Sequence, residues 1–468
     1  MMRTAQAAQV LKGSSAGPDT EFTGVSTDSR TIGAGDLFVA LRGERHDGHA
    51  FVAAVARSGA AAAMVDASFD ASATTLPLVI VEDTRLALGG LAAHWRAQFS
   101  PVLIAVAGSN GKTTTKEMLA SILKAAAGDE SVLATAGNLN NDIGLPLTLL
   151  RMRAKHRWCA IELGMNHKGE IAYLAEIAKS TLAVVTNAQR EHLEFMGSVE
   201  EVAEENSAVY RALPEDGVAV INADDAHADT FRRAAGTRRV VDFALERGAA
   251  VTGRCELAPL SSSVRIACTS GEAVATLAIP GLHNVMNALA AAACADAAGI
   301  APEAIGRGLS AFRPYTGRLQ VKKAADGMTV IDDSYNANPD SVRAAIDVLA
   351  AAPGRTVLVL GDMGEVGDEG ADFHSEVGRY AKDKGITSVL ALGESTAHTV
   401  AAYGQGARHF ATLEDLCAAL ERIRDEGTTV LVKGSRFMRM ERVVAALVEN
   451  DSDNNGGASA GARAAGVH

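Results

Sequence analysis

A length of 468 residues exceeds one ordinary hydrophobic core and indicates two to four domains. The composition is 48% hydrophobic but only 4% aromatic, which favours helices packed on sheets and argues against an all-β sandwich. The formal net charge of -12 argues against a nucleic-acid partner, because phosphate contacts need clustered Lys and Arg.

The cysteines and the apolar stretches indicate the compartment. The five cysteines are odd in number and none are spaced like zinc ligands, so reduced thiols are the simplest account. The first 13 residues contain no apolar segment of the signal-peptide type, and no apolar stretch is long enough to span a bilayer. We therefore expect a cytoplasmic protein without membrane insertion.

Three blocks of alternating strand-like and helix-like sequence follow one another along the chain. Residues 1–99 predict a small α/β domain. Residues 100–313 predict a doubly wound, mostly parallel sheet, with an antiparallel β excursion at Val251–Ile279. Residues 314–450 predict a third, Rossmann-like α/β domain. The tail, residues 451–468, is rich in Gly, Ala, Ser and Asn, which predicts disorder.

A phosphate-binding loop is predicted between the apolar strand Val102–Ala107 and the helix-like segment that follows it. Glycines let backbone N–H groups turn around phosphate oxygens, and the helix N-terminus adds its dipole. Lys112 would supply charge to the β/γ-phosphates, and the Thr113 hydroxyl can ligate Mg²⁺. The generic pattern needs a glycine where Val106 stands, so a plain glycine-rich turn is the alternative. The predicted ATP-binding residues here are Gly108, Ser109, Asn110, Gly111, Lys112, Thr113 and Thr114.

Two side chains at the ends of the next predicted strands are candidate magnesium ligands. Glu162 ends one strand, and His192 follows the strand that ends at Asn187. The carboxyl ends of such strands meet at the ligand-binding edge of an open sheet. Mg²⁺ prefers oxygen ligands, so Glu162 is the better candidate, and a capping or surface role is the alternative for His192.

Several polar runs can be plain loops or parts of a site. Asn138–Gly144 is one of these, and Asn284 with Asn287 is another, since residues three apart share a helix face. An N-cap with polar neighbours is the alternative for the asparagine pair. In the third block, three polar runs follow predicted strands at equivalent positions, which favours a ligand site. These runs are Asp332–Ser341, Gly361–Gly367 and Val432–Arg436.

Together these motifs resemble the Mur ligase family over about residues 22–445. Gly108–Thr113 matches the family's ATP loop, including the missing first glycine. The resemblance implies a three-domain α/β architecture: a small N-terminal domain for a UDP-MurNAc-peptide, a central P-loop domain for ATP, and a C-terminal Rossmann-like domain. Asp332–Ser341 and Gly361–Gly367 resemble the member that adds D-alanyl-D-alanine to UDP-MurNAc-tripeptide.

The resemblance also implies the chemistry and the residues that carry it. ATP would activate the tripeptide carboxylate as an acyl phosphate, and the dipeptide amine would then attack it. ATP and Mg²⁺ would be the cofactors, and we expect a monomer. The implied residues are Lys112, Glu162 and His192 for catalysis; Thr113, Glu162 and His192 for magnesium; Asn284, Asn287, Arg318 and Asn336 for the nucleotide; and Ser26, Thr27, Asp28, Ser29 and Arg30 for the UDP-sugar.

One departure from the family pattern affects the predicted site. Many members carry a lysine, carbamylated in some, where this chain has Asn206. Either the chain works without a carbamate, or Glu204 or Glu205 substitutes for it. Three other functions stay open: a ligase that adds a single amino acid, a folate polyglutamate ligase, and a nucleotide-dependent switch.

Overall fold

Four β-sheets organise the chain in a computed structural model that describes residues 1–43 and 46–448. The residues form two compact units. One comprises Met1–Glu256, Ser262–Leu277 and Leu282–Phe312; the other takes the chain from Arg313 onward together with Leu257–Ser261 and Ala278–Gly281. The tail predicted to be disordered, residues 451–468, lies outside the described residues.

The first 99 residues form a five-stranded sheet and a two-stranded one. The larger sheet has the order β2-β7-β6-β5-β4, and only its edge strand β2 is antiparallel to its neighbour. Helix α3 begins after Asp83, whose carboxylate accepts the N–H groups of Arg85 and Leu86. The elements are β1 (Met2–Arg3), α1 (Thr4–Val10), β2 (Ser14–Ala16), β3 (Glu21–Phe22), β4 (Gly24–Ser26), β5 (Asp36–Val39), a 3₁₀ turn (Gly48–Phe51), α2 (Val52–Arg57), β6 (Ala62–Asp66), a 3₁₀ turn (Ala71–Ala73), β7 (Leu78–Val81) and α3 (Thr84–Arg96).

Residues 100–312 build a nine-stranded sheet of order β16-β15-β14-β13-β12-β11-β8-β10-β9. Strands β8 to β13 are parallel, as predicted. The elements are β8 (Val102–Ala107), α4 (Lys112–Ala127), a 3₁₀ turn (Asp129–Ser131), β9 (Val132–Ala134), α5 (Gly144–Leu150), β10 (Trp158–Glu162), α6 (Glu170–Ala178), β11 (Leu182–Val185), α7 (Leu193–Met196), α8 (Val199–Arg211), β12 (Val218–Asn222), α9 (Ala228–Ala235), β13 (Arg239–Ala244), β14 (Val251–Ala258), β15 (Ser261–Cys268), β16 (Gly271–Leu277), α10 (Leu282–Ala297) and α11 (Pro302–Ala311).

The position of β8 explains where a site can form. It lies inside the sheet between β10 and β11, and Leu103 to Ala107 are fully buried. Because β8, β10 and β11 are parallel, their carboxyl ends meet at one edge of the sheet. The predicted antiparallel excursion is confirmed for the β15–β16 hairpin. Strand β14 lies between β15 and β13, and it pairs with β13 in parallel.

The N-terminal sheet and the central sheet share one hydrophobic core within the first unit. Leu88 and Leu91 of α3 belong to the same buried cluster as Leu149 of α5 and Leu174 of α6. The indole N–H of Trp95 donates to the Met152 carbonyl at 3.0 Å. Helix α3 is therefore the element that joins the two sheets.

The second unit is a six-stranded sheet of order β17-β18-β22-β19-β20-β21, parallel except for its edge strand β17. Its elements confirm the predicted α/β alternation. They are β17 (Gln320–Lys323), β18 (Thr329–Asp333), α12 (Pro339–Ala350), β19 (Arg355–Gly361), a 3₁₀ turn (Gly367–Glu369), α13 (Gly370–Asp383), β20 (Ser388–Leu392), α14 (Thr396–Tyr403), β21 (Ala407–Phe410), α15 (Leu413–Glu421), β22 (Thr428–Lys433), a 3₁₀ turn (Arg436–Met438) and α16 (Glu441–Val448).

Within the described residues, no helix is both long enough and apolar enough to cross a bilayer.

Candidate functional site

The predicted phosphate loop links the carboxyl end of β8 to the first turn of α4. Gly108 and Gly111 both have positive φ, 119° and 84°, which side chains other than glycine rarely adopt. A Cβ atom on Gly108 would lie 2.2 Å from the Thr186 hydroxyl, and one on Gly111 would lie 2.1 Å from the Asn287 amide oxygen. Both glycines are therefore required by backbone conformation and by space.

Lys112 curls back over the loop. Its Nζ donates to the carbonyls of Gly108 and Ser109 at 2.5 and 2.9 Å. The same ammonium lies 3.1 and 3.2 Å from the two carboxylate oxygens of Glu191, and both side chains are largely buried. Glu191 directly precedes the candidate His192, but no local sequence pattern marks it as a site residue.

Thr113 and Glu162 meet, as the predicted magnesium site requires. The Thr113 hydroxyl donates to Glu162 Oε1 at 3.1 Å, and the Asn140 amide donates to the same oxygen at 2.8 Å. Glu162 is 1% exposed, and its Oε2 has no hydrogen-bond partner among the described residues. A buried carboxylate oxygen is costly to leave unpaired, so this atom fits a cation. The polar run Asn138–Gly144 therefore contacts the candidate magnesium site through Asn140.

His192 directly follows Glu191, the carboxylate that pairs with Lys112. Its Nε2 is 3.7 Å from Glu191 Oε1, and its backbone has φ 52°, a left-handed conformation that is unusual outside glycine. Within residues 1–43 and 46–448, no group of three or more His, Cys, Asp and Glu side chains is arranged to hold a metal. Mg²⁺ commonly keeps several water ligands and needs few protein side chains.

The asparagine pair of α10 faces the phosphate loop. Asn287 donates to the Asn284 amide oxygen at 3.1 Å and accepts from the Thr115 hydroxyl at 3.4 Å. Both asparagines are buried, at 2% and 6% exposure. The N-cap alternative does not apply, because the helix begins at Leu282, before both of them.

Asn206, at the position of the family lysine, lies against the loop. It is 1% exposed, and its Oδ1 accepts the Gly108 N–H at 2.7 Å. The proposed substitution by Glu204 or Glu205 does not fit. Glu204 pairs with Arg211 at 2.8 Å, and Glu205 accepts N–H groups at the start of α6.

The candidate UDP-sugar residues form a tight turn after β4. The Arg30 guanidinium binds both Asp28 oxygens, at 2.9 and 2.7 Å, and the Ser26 hydroxyl accepts the Asp28 N–H at 3.1 Å. The Arg30 hydrogen bond holds the pKa of Asp28 below its usual value. The turn therefore presents an exposed guanidinium paired with a carboxylate that is ionised at neutral pH.

In the second unit, the three polar runs are tied together at the carboxyl ends of β18, β19 and β22. The Ser435 hydroxyl donates to the Ala337 carbonyl at 3.1 Å and accepts the Gly364 N–H at 2.8 Å. Lys433 Nζ donates to Asp333 Oδ2 at 2.6 Å and to the Asn336 carbonyl at 2.9 Å. Burial lowers the pKa of Lys433.

Arg318 and Asn336 also lie in this cluster. The Arg318 guanidinium stacks on the Tyr335 ring, 4.0 Å from its centroid. Arg318 Nε is buried and lacks a hydrogen-bond partner among the described residues. The candidate nucleotide-binding residues thus form two groups, one in each compact unit.

Comparison with known proteins identifies the family. The model described as "Mur ligase family, catalytic domain" matches residues 21–96, "Mur ligase middle domain" matches residues 106–295, and "Mur ligase, glutamate ligase domain" matches residues 317–436. The UDP-N-acetylmuramoyl-tripeptide--D-alanyl-D-alanine ligase of Escherichia coli (strain K12) is 40% identical, over 95% of this chain and 98% of its own length.

Solved structures agree. MurF from Acinetobacter baumannii is 36% identical with a TM-score of 0.89, covering 96% of this chain and 99% of its own. MurF ligase from Thermotoga maritima in complex with ADP is 26% identical with a TM-score of 0.79, covering 91% and 96%. The three-domain architecture implied by the motifs is confirmed by these likenesses. The chain belongs to the Mur ligase family.

Proposed function

We propose that this chain is an ATP-dependent ligase that joins D-alanyl-D-alanine to UDP-N-acetylmuramoyl-tripeptide and so makes the pentapeptide precursor of peptidoglycan. The observation that carries the proposal is the full-length likeness to ligases of that name, at 40% identity to the Escherichia coli relative. The loop Gly108–Thr114, with Thr113 on a buried carboxylate, supplies the matching chemistry.

The nucleotide phosphates would lie at the first turn of α4. The T. maritima relative is a complex with ADP, which supports a nucleotide in this fold. Lys112 would exchange contacts with Glu191 for contacts with the β/γ-phosphates and stabilise the charge of the transferring phosphoryl group. Arg318, Asn336, Asn284 and Asn287 are the proposed contacts to the rest of the nucleotide.

Thr113 and Glu162 would hold Mg²⁺, with His192 the third candidate ligand. The unpaired Glu162 Oε2 supports this assignment. The ion would supply charge neutralisation at the β- and γ-phosphate oxygens. Asn140 would orient the carboxylate, because it donates to the other oxygen.

The reaction needs no nucleophilic side chain. A carboxylate oxygen of the tripeptide attacks the γ-phosphorus, the bond to the ADP oxygen breaks, and an acyl phosphate forms. The dipeptide amine then attacks the acyl carbon, loses a proton, and expels inorganic phosphate. The chain would contribute positioning and charge stabilisation. The turn Ser26–Arg30 would hold the UDP-sugar, and the polar runs of the second unit would help bind the dipeptide.

The domain boundaries at residues 99, 313 and 450, a cytoplasmic location and a monomeric state stay predictions. Sedimentation of the purified chain at several concentrations tests the last of these, and a mass that rises with concentration would contradict it.

Phosphate release tests the function. ATP, Mg²⁺ and UDP-MurNAc-tripeptide are supplied with D-Ala-D-Ala, with D-Ala alone, or with no amine. We expect release only with the dipeptide, with one pentapeptide per phosphate by mass spectrometry. Equal release without an amine would favour a nucleotide switch, and equal turnover with D-Ala alone would favour a ligase that adds one amino acid.

A further inference from the structure

The first three N–H groups of the phosphate loop already have protein acceptors. Gly108 donates to Asn206 Oδ1 at 2.7 Å, Ser109 donates to the Asn187 carbonyl at 2.9 Å, and Asn110 donates to Asn187 Oδ1 at 2.9 Å. Backbone N–H groups in such loops are usually the donors for phosphate oxygens. Here three of them are used to attach the loop to the neighbouring elements.

Asn187 holds Asn110 at both of its backbone groups. Besides accepting the N–H, its Nδ2 donates to the Asn110 carbonyl at 3.0 Å. The Thr186 hydroxyl donates to the same carbonyl at 2.8 Å, and Asn222 Nδ2 holds the Thr186 carbonyl at 2.9 Å. The oxygen and the nitrogen of the Asn187 side-chain amide therefore both bond to the loop. Thr186, which bonds to the same Asn110 carbonyl, is itself held by Asn222 of β12.

Asn206 holds the other end of this segment from α8. Its Nδ2 donates to the Val202 carbonyl at 2.9 Å, one helical turn earlier, which leaves Oδ1 directed at Gly108. The residue is 1% exposed, so water does not compete strongly for this bond.

The N–H groups of Gly111, Lys112, Thr113 and Thr114 differ from these three. In the described part of the chain none of them has an acceptor, as expected for the first turn of a helix, whose N–H groups lack intrahelical partners. The loop therefore has an anchored half, Gly108–Asn110, and a free half, Gly111–Thr114.

We propose that Asn187 and Asn206 are positioning residues that anchor Gly108–Asn110, so that only the Gly111–Thr114 N–H groups receive the nucleotide phosphates. The proposal rests on the proposed function for the identity of the ligand. It explains how the loop controls Lys112, whose Nζ donates to the carbonyls of Gly108 and Ser109. When these carbonyls move, the ammonium moves with them.

Hydrogen–deuterium exchange of the full chain, resolved to single residues and measured with and without ADP, tests the division of the loop. We expect slow exchange at Gly108–Asn110 without ADP and no further change when ADP is added. We expect ADP to slow exchange at Gly111–Thr114. Strong ADP protection at Gly108–Asn110 in the wild type would overturn the proposal, and this measurement needs no variant.

Variants test the positioning role. Asn187→Ala removes both contacts to Asn110, and Asn206→Leu removes the acceptor of the Gly108 N–H. We expect faster exchange at the released amides and a kcat lower by about tenfold to a hundredfold, the usual cost of a small misplacement. KM for ATP should change by less than about threefold, because the free half of the loop is intact. Asn206→Asp keeps an acceptor for Gly108 and should restore slow exchange there.

Asp83→Ala is the matched control. Like Asn187→Ala, it removes one side chain that makes two hydrogen bonds to backbone groups of the same unit, here to two N–H groups at the start of α3. We expect a smaller loss of stability than in the asparagine variants, because both Asp83 bonds are exposed, and an unchanged kcat. If the asparagine variants keep the wild-type kcat, or if Asp83→Ala lowers kcat equally, the positioning role is wrong. A wild-type chain that binds ADP but fails to ligate would refute the proposed function instead, and the exchange pattern would still decide the anchoring.

Discussion

Breaking the buried ion pair between Lys433 and Asp333 from one side should strongly destabilise the second unit. The two side chains are 2.6 Å apart, and only 4% and 11% exposed. Lys433→Met leaves the Asp333 carboxylate buried, with the Leu319 N–H still donating to it at 3.2 Å. Breaking such a pair from one side typically costs about 3–5 kcal/mol, because the remaining charge is desolvated without compensation.

An exposed pair in the same unit gives the control. Lys384 and Asp347 are also 2.6 Å apart, but 42% and 47% exposed. Solvent screens such a pair, so Lys384→Met should cost less than about 1 kcal/mol. The double variant Asp333→Asn/Lys433→Met removes both buried charges, and we expect it to recover at least half of the loss caused by Lys433→Met.

Hydrogen exchange in peptides of β18, β19 and β22 is the suitable assay. Both tryptophans, Trp95 and Trp158, lie in the other unit, so their fluorescence does not report on this one. A loss of about 3–5 kcal/mol accelerates exchange through unfolding by roughly two to three and a half orders of magnitude. Equal acceleration by Lys433→Met and Lys384→Met would refute the reasoning, because burial would then not decide the cost.

Three further predictions concern the first unit. Lys112→Ala should lower kcat by about 100-fold to 1,000-fold or more, with an unchanged circular dichroism spectrum. The control Lys124→Ala, on the exposed face of the same helix, should stay active. Near-normal turnover without Lys112 would contradict its role. Glu162→Gln should raise the Mg²⁺ concentration for half-maximal activity by about tenfold or more, and an unchanged Mg²⁺ titration would exclude Glu162 as a ligand. Burial raises the pKa of the Cys159 thiol to about 12, so at pH 8 only about 1 thiol in 10,000 is ionised. Iodoacetamide should therefore label Cys159 after urea denaturation but not before. Rapid labelling of the native chain would contradict the burial.

Local sequence by itself determined the elements and the phosphate loop. Val102–Ala107 is a short apolar run, and Gly108 and Gly111 stand in the loop that follows it. Residue type at fixed spacing therefore predicts both the buried strand and the turn after it. Asn284 and Asn287 share a helix face because of helical periodicity alone. The α/β alternation and the family resemblance rest on patterns of the same kind.

Tertiary structure decided which residues meet. Asn206 lies 98 residues from Gly108, yet its amide oxygen holds the Gly108 N–H, and Lys433 lies 100 residues from Asp333. Two more long-range contacts build the site: Glu191 pairs with Lys112, and Asn140 donates to Glu162. Periodicity shows which face of an element is buried, but strand order decides which elements are neighbours, and strand order depends on long-range packing. For this reason the sequence pointed to the phosphate loop, and only the fold revealed that asparagines from two other elements hold half of it in place.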